Sequence, residues 1–219
     1  MTNRYEVLDG TAGGAELLSK ALDSKVLDAV PYLDKVMKVL RLRESVQDYW
    51  LAKKLASFIV TLDSVPPRFA DKLIEKAVRV PGEINDLGNR VTQAVALSTD
   101  FDKPAIHAKL FIAYTDGALS AVQLGRHLTA ISVIHTPDLI AFAGEVNPYF
   151  GQPNNMFQEP QKPWLLDFEV GEPVAPCGYA RAISLGGYRT QLLVTEFGVQ
   201  FHTAMRAANE KLGQYATPG

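Results

Sequence analysis

Residues 45–69, SVQDYWLAKKLASFIVTLDSVPPRF, decide the fold. Leu51, Leu55, Phe58, Ile59 and Leu62 recur at i, i+4, i+7, i+8 and i+11, the spacing that lays one apolar stripe along a helix. Ser45 stands where an N-cap belongs. Pro66-Pro67 stops the helix and presets φ for the first turn of another, in which Phe69, Leu73 and Ala77 form one row and Ala70, Ile74 and Val78 the next. Two helices joined so tightly predict neighbours in a bundle.

The same grammar extends in both directions. Upstream, Leu17, Leu18, Ala21 and Leu22, then Val26, Leu27 and Val30, are helical sets. Pro31 opens a helix that turns Leu33, Val36, Met37 and Leu40 inward. Downstream, Ile84, Leu87, Val91, Ala94 and Val95 fit a helix in which Gly88 permits close packing. Ile106, Leu110, Phe111, Ala113 and Tyr114 fit another, ended by Asp116-Gly117. Ser120 and Gln123 have the form of a capping box before Leu124, Leu128 and Ile131. Leu139 to Val146 supplies a last short turn. Six prolines between Pro148 and Pro176 then mark an irregular connection, in which Trp164, Leu165, Leu166 and Phe168 are too apolar to stay undocked and are expected on the helical body. Gly186-Gly187 between Tyr179–Leu185 and Tyr188–Val194 reads as a hairpin, and a helix from about Thr195 bears Phe197, Phe201, Ala204 and Met205. The expected organisation is a flexible leader (1–14), a helical bundle (15–147), a Pro-rich connection (148–177) and a hairpin with a helix (178–219). The fold class is mainly α: a multi-helix bundle with a small C-terminal β-hairpin plus helix.

With 219 residues, 47% of them hydrophobic and 21% charged, the chain is long enough to bury its own core without staples. A net charge of −2 gives no global pull toward nucleic acid or anionic lipid, so any such binding needs a local patch. The lone Cys177 cannot form an intramolecular disulfide, and the opening Met-Thr-Asn-Arg-Tyr lacks the basic and apolar regions of a secretory signal. Both lead us to expect a cytoplasmic protein. The longest apolar runs, such as Leu55 to Leu62, fall well short of the roughly 18 residues of a transmembrane helix.

Asp102-Lys103-Pro104-Ala105-Ile106-His107-Ala108-Lys109-Leu110-Phe111-Ile112-Ala113-Tyr114, followed by Asp116-Gly117-Ala118-Leu119-Ser120, resembles a helical bacterial family of unassigned function related to the tellurite-resistance protein TerB. Tyr49 to Phe58 and Pro67-Arg68-Phe69 are similar to the helices before that signature, and Tyr188 to Phe201 is similar to the close of a winged-helix-like tail. The resemblance implies a helical bundle, no established chemistry and a phage-defence or stress setting. TerB-like proteins bind a divalent cation through acidic residues, for which Asp100 and Asp102 are the nearest candidates. Two carboxylates fall short of the roughly six to eight oxygens of a calcium cage, and an N-capping role is expected instead.

His107, His127, His135 and His202 lack the short spacing of zinc ligands and read as surface or rim residues, and Cys177 reads as a structural thiol. No phosphate loop or nucleophile-elbow motif is present, and neither catalytic residues nor a cofactor or metal is expected. Residues 35–54 hold Lys35, Lys38, Arg41, Arg43, Lys53 and Lys54 against Glu44 and Asp48, a net +4. With Arg181 and Arg189 of the hairpin, they form the candidate binding surface. The first functional expectation is therefore a non-enzymatic protein that binds another protein, or a second copy of itself. The second is a nucleic-acid-binding regulator using the wing-like element and basic helix. The third is a hydrolase with a site beside residues 148–176, and contact with a membrane surface through the basic amphipathic helix completes the set.

Overall fold

The computed structural model describes residues 13–42, 45–98, 100–145, 165–166, 168–184 and 190–213. The leader up to residue 12, the Gly186-Gly187 turn, Trp164, Arg43 and Arg189 lie outside the described residues. The protein is mainly α-helical with a small antiparallel sheet, and it divides into two compact units: residues 1–132 with 204–219, and residues 133–203. Among the described residues no helix is long and apolar enough to cross a membrane.

The first unit contains α1 (Gly13–Leu22), α2 (Val26–Ala29), α3 (Pro31–Leu42), α4 (Val46–Asp63), α5 (Pro67–Arg79), α6 (Pro81–Leu97), α7 (Lys103–Thr115) and α8 (Ala121–Val133, all but its last residue). Gly13 and Gly14, expected in the leader, instead open α1. Three helices start on proline, at Pro31, Pro67 and Pro81, where the missing N–H is one the helix would leave unsatisfied anyway. The caps follow the local sequence. Ser45 Oγ accepts the Asp48 N–H at 3.0 Å. Ser120 and Gln123 cap each other reciprocally, at 2.8 and 3.2 Å.

Helices α4 and α7 form the centre. α4 packs against α1, α3, α6 and α7, and the rings of Phe58 and Phe111 meet edge-on at 5.8 Å between α4 and α7. α7 is enveloped: Ile106, Ala108, Leu110, Phe111, Ile112, Ala113 and Tyr114 are all buried, so no side of it is a solvent face. Tyr114 donates its hydroxyl to Glu83 at 2.5 Å, and Lys76 donates to its carbonyl at 2.7 Å. Gly88 admits the expected close approach, since a Cβ there would lie 2.9 Å from Val30 Cγ1 and 3.2 Å from Tyr32 Cβ. Asp116, just past α7, pairs with Lys72 and with Lys211 of the C-terminal helix.

The second unit holds α9 (Thr136–Glu145), β1 (Leu165–Leu166), α10 (Phe168–Val174), a 3₁₀ turn (Ala175–Cys177), β2 (Ala180–Ser184), β3 (Thr190–Val194) and the start of α11 (Glu196–Gly213). The sheet order is β1-β3-β2, all antiparallel. Leu165 and Leu166, expected on the helical body, pair instead with Leu193 and Leu192. An extended dipeptide gains backbone hydrogen bonds at a strand edge that a helix surface does not offer. Phe142, Tyr179 and Phe201 stack at 5.0–6.1 Å to form the core. Thr195 Oγ1 accepts the Gly198 N–H at 3.1 Å, and a Cβ on Gly198 would lie 2.3 Å from the Tyr179 carbonyl oxygen.

Candidate binding surface

Helix α3 buries Leu33, Met37 and Leu40, which leaves Lys35, Lys38 and Arg41, at i, i+3 and i+6, exposed on its outer side. Two apolar residues share that side: Val39, half exposed, and Leu42, 84% exposed. Val46, the first residue of α4, is also half exposed. Asp34 holds Lys38 at 2.7 Å, one turn back. Among the described residues neither Lys35 nor Arg41 has an ion-pair partner.

Along α4, Trp50 follows Val46 by one turn and meets the ring of Phe101 at 5.2 Å with the planes inclined by 56°. The Lys53 ammonium lies 5.4 Å from the Trp50 ring centre and 5.6 Å from that of Phe101. Lys54, partly buried, donates to the Ser98 carbonyl at 2.5 Å. The last carbonyls of a helix carry partial negative charge and no intrahelical partner, so a neighbouring ammonium is drawn to them. Burial holds the Lys54 pKa below its usual value, partly offset by Asp100. The candidate basic surface therefore has two parts, an open row on α3 and a pair of lysines engaged with rings and a helix end on α4. Beside that pair Leu97 is 67% exposed and Phe101 41%.

The interior behind this corner is polar. Asp100 Oδ1 accepts the N–H groups of Asp102 and Lys103, both at 3.1 Å, and so caps the start of α7. Lys103 is 1% exposed, with its ammonium 3.3 Å from the Ser132 carbonyl. One turn on, His107 is fully buried and neither ring nitrogen has a hydrogen-bond partner. Burial first, then the Lys103 charge, lowers its pKa to about 3, against an opposing effect of Asp100. His127 is also fully buried, with a pKa lowered to about 4 by burial and by Arg126. The expectation of surface or rim histidines fails for these two, while His135 is exposed. The signal that would have found His107 is the continuous apolar run around α7, because a helix covered on every side takes its polar residues inside with it. Among the described residues no group of three or more His, Cys, Asp or Glu side chains could hold a metal ion.

In the second unit Arg181 is exposed on β2, and the half-buried Cys177 ends the 3₁₀ turn. The described helix between β1 and β2 is α10, seven residues long with Pro173 inside it.

Fold and surface define a class: a helical protein with a small appended sheet that presents a basic, apolar face on its helical unit. No protein-family model, curated protein or solved structure matches the chain.

Proposed function

We propose that this protein acts by binding another protein through the basic, apolar face of its first unit, rather than by catalysis. The observation that carries this reading is the exposure of Val39 and Leu42 among Lys35, Lys38 and Arg41 on α3, and of Leu97 and Phe101 near Lys53 and Lys54. Scattered exposed aliphatics are ordinary. An apolar set bordered by cations has the make-up of a partner site. The resemblance of residues 102–120 to TerB-like proteins suggests a phage-defence or stress setting, and the single cysteine suggests the cytoplasm.

A nucleic-acid reading has one specific observation in its favour, the Lys53 ammonium beside Trp50 and Phe101, since single strands are held by cations and stacking rings. The inclined rings, with Lys53 near both, offer a poor platform for a base. For the hydrolase reading, most of the 148–176 segment lies outside the described residues.

The test is a pull-down from lysate with the full chain, with and without nuclease, repeated with Leu42→Glu and Leu97→Glu. A stoichiometric protein that resists nuclease and is lost in either variant is the expected result. Salt-sensitive nucleic acid without a protein would overturn the reading in favour of the second.

A further inference from the structure

We infer that the outer side of α3 docks an acidic amphipathic helix of the partner, its apolar residues on Val39 and Leu42 and its carboxylates on Lys35 and Arg41. This inference rests on the protein-binding reading above and names the chemistry of the partner. α3 already has its core contacts: Leu33, Met37 and Leu40 are buried, so Val39 and Leu42 are not needed to hold the helix to the bundle. Lys35, Lys38, Val39 and Leu42 fall at i, i+3, i+4 and i+7, which puts cations and aliphatics on one face.

Charge complementarity selects the occupant. Covering Leu42 also draws Lys35 and Arg41 out of water, and among the described residues neither has an acidic partner to compensate. A neutral or basic segment would leave both charges desolvated and unpaired, which is unfavourable, whereas carboxylates on the docked helix would satisfy them. A nucleic acid would supply phosphates but nothing to cover Val39 and Leu42. A bilayer would supply both, yet two partly exposed aliphatic side chains offer less burial than the single acyl chain that itself anchors only marginally. A second copy of this face would oppose like charges.

The test selects single-helix peptides, randomised at apolar and charged positions in a display library, against the full-length chain at low and physiological salt. The expected peptides carry net negative charge beside an i, i+3, i+7 apolar stripe and bind more weakly as salt rises. Leu42→Glu should weaken them by about tenfold or more, and the double reversal Lys35→Glu, Arg41→Glu should turn the selection toward basic peptides. These positions are exposed, so far-UV circular dichroism and melting should match the parent chain. Absence of enrichment, or enrichment indifferent to charge, overturns the inference. So does Leu42-dependent co-sedimentation with phosphatidylserine vesicles, or a Leu42-dependent dimer in sedimentation velocity. Should the selected peptides respond to Leu97→Glu and not to Leu42→Glu, this inference falls while protein binding stands. Failure of the unaltered chain to retain any nuclease-resistant protein in the lysate experiment as well would sink both.

Discussion

His107 carries an imidazole into the centre of the first unit with no hydrogen-bond partner on either nitrogen, next to the buried ammonium of Lys103. Its pKa near 3 in the folded chain, against 6.5 for a free histidine, has a definite consequence for acid stability. Between those values the unfolded chain binds the proton and the folded one does not. The contribution is intact above about pH 6.5 and is lost as pH falls toward 3, at up to about 1.4 kcal/mol per pH unit. His127 acts in the same direction, down to about 4. We expect thermal melts from pH 7 to 4.5 to show a falling midpoint, and His107→Leu to fall less steeply. At pH 7 that variant should be as stable as the parent or about 1 kcal/mol more so, because an unsatisfied polar group is replaced by an apolar one of similar size. Parallel pH curves for the two chains would refute the assignment. Lys103→Met removes a charge that depresses His107, so an NMR titration of that variant should place the imidazole pKa closer to normal. None of this was legible from residue type and spacing. Lys103 and His107 look like ordinary polar positions until α7 is known to be covered on every side.

At the scale of elements, what the sequence disclosed was what is local. Ser45 and the Ser120–Gln123 pair are caps because each satisfies N–H groups within its own first turn, and a chain fragment already contains both partners. Ser45→Ala should lower stability by about 1 kcal/mol in urea unfolding; no loss would mean that the α4 start is held by packing alone. Strand β1 was hidden because Leu165 and Leu166 lie in a proline-rich run and become a strand only by pairing with Leu193 and Leu192, far along the chain. The candidate binding surface was half legible. Lys35, Lys38 and Arg41 stood out by charge, but the exposure of Leu42, Leu97 and Phe101 did not, since periodicity assigns apolar residues to a core and cannot tell which of them the neighbours fail to cover. For the same reason Lys54 read as part of a basic surface, although it caps the end of α6 through Ser98.

For the whole molecule, the two units each have a core of their own, and two glycines probe them separately. Gly88 lies in α6, where an added Cβ would meet Val30 and Tyr32 side chains at 2.9 and 3.2 Å. Gly198 lies at the start of α11, where it would meet the Tyr179 backbone oxygen at 2.3 Å, Val194 Cγ1 at 2.8 Å and Phe142 Cζ at 3.2 Å. Side chains can yield by a few tenths of an ångström, but a carbonyl fixed between β2 and the Thr195 N–H at 2.9 Å cannot. Gly88→Ala should therefore cost about 1–2 kcal/mol, and Gly198→Ala more, about 3 kcal/mol. Hydrogen exchange read segment by segment distinguishes the sites of damage. Gly198→Ala is expected to raise exchange in α9, β2 and β3 while α4 and α7 keep their protection, and Gly88→Ala to raise it in α3 and α6 first. Uniform loss of protection in both variants would mean that the two units open as one, and the separate cores would then be a feature of packing without a matching division in cooperativity.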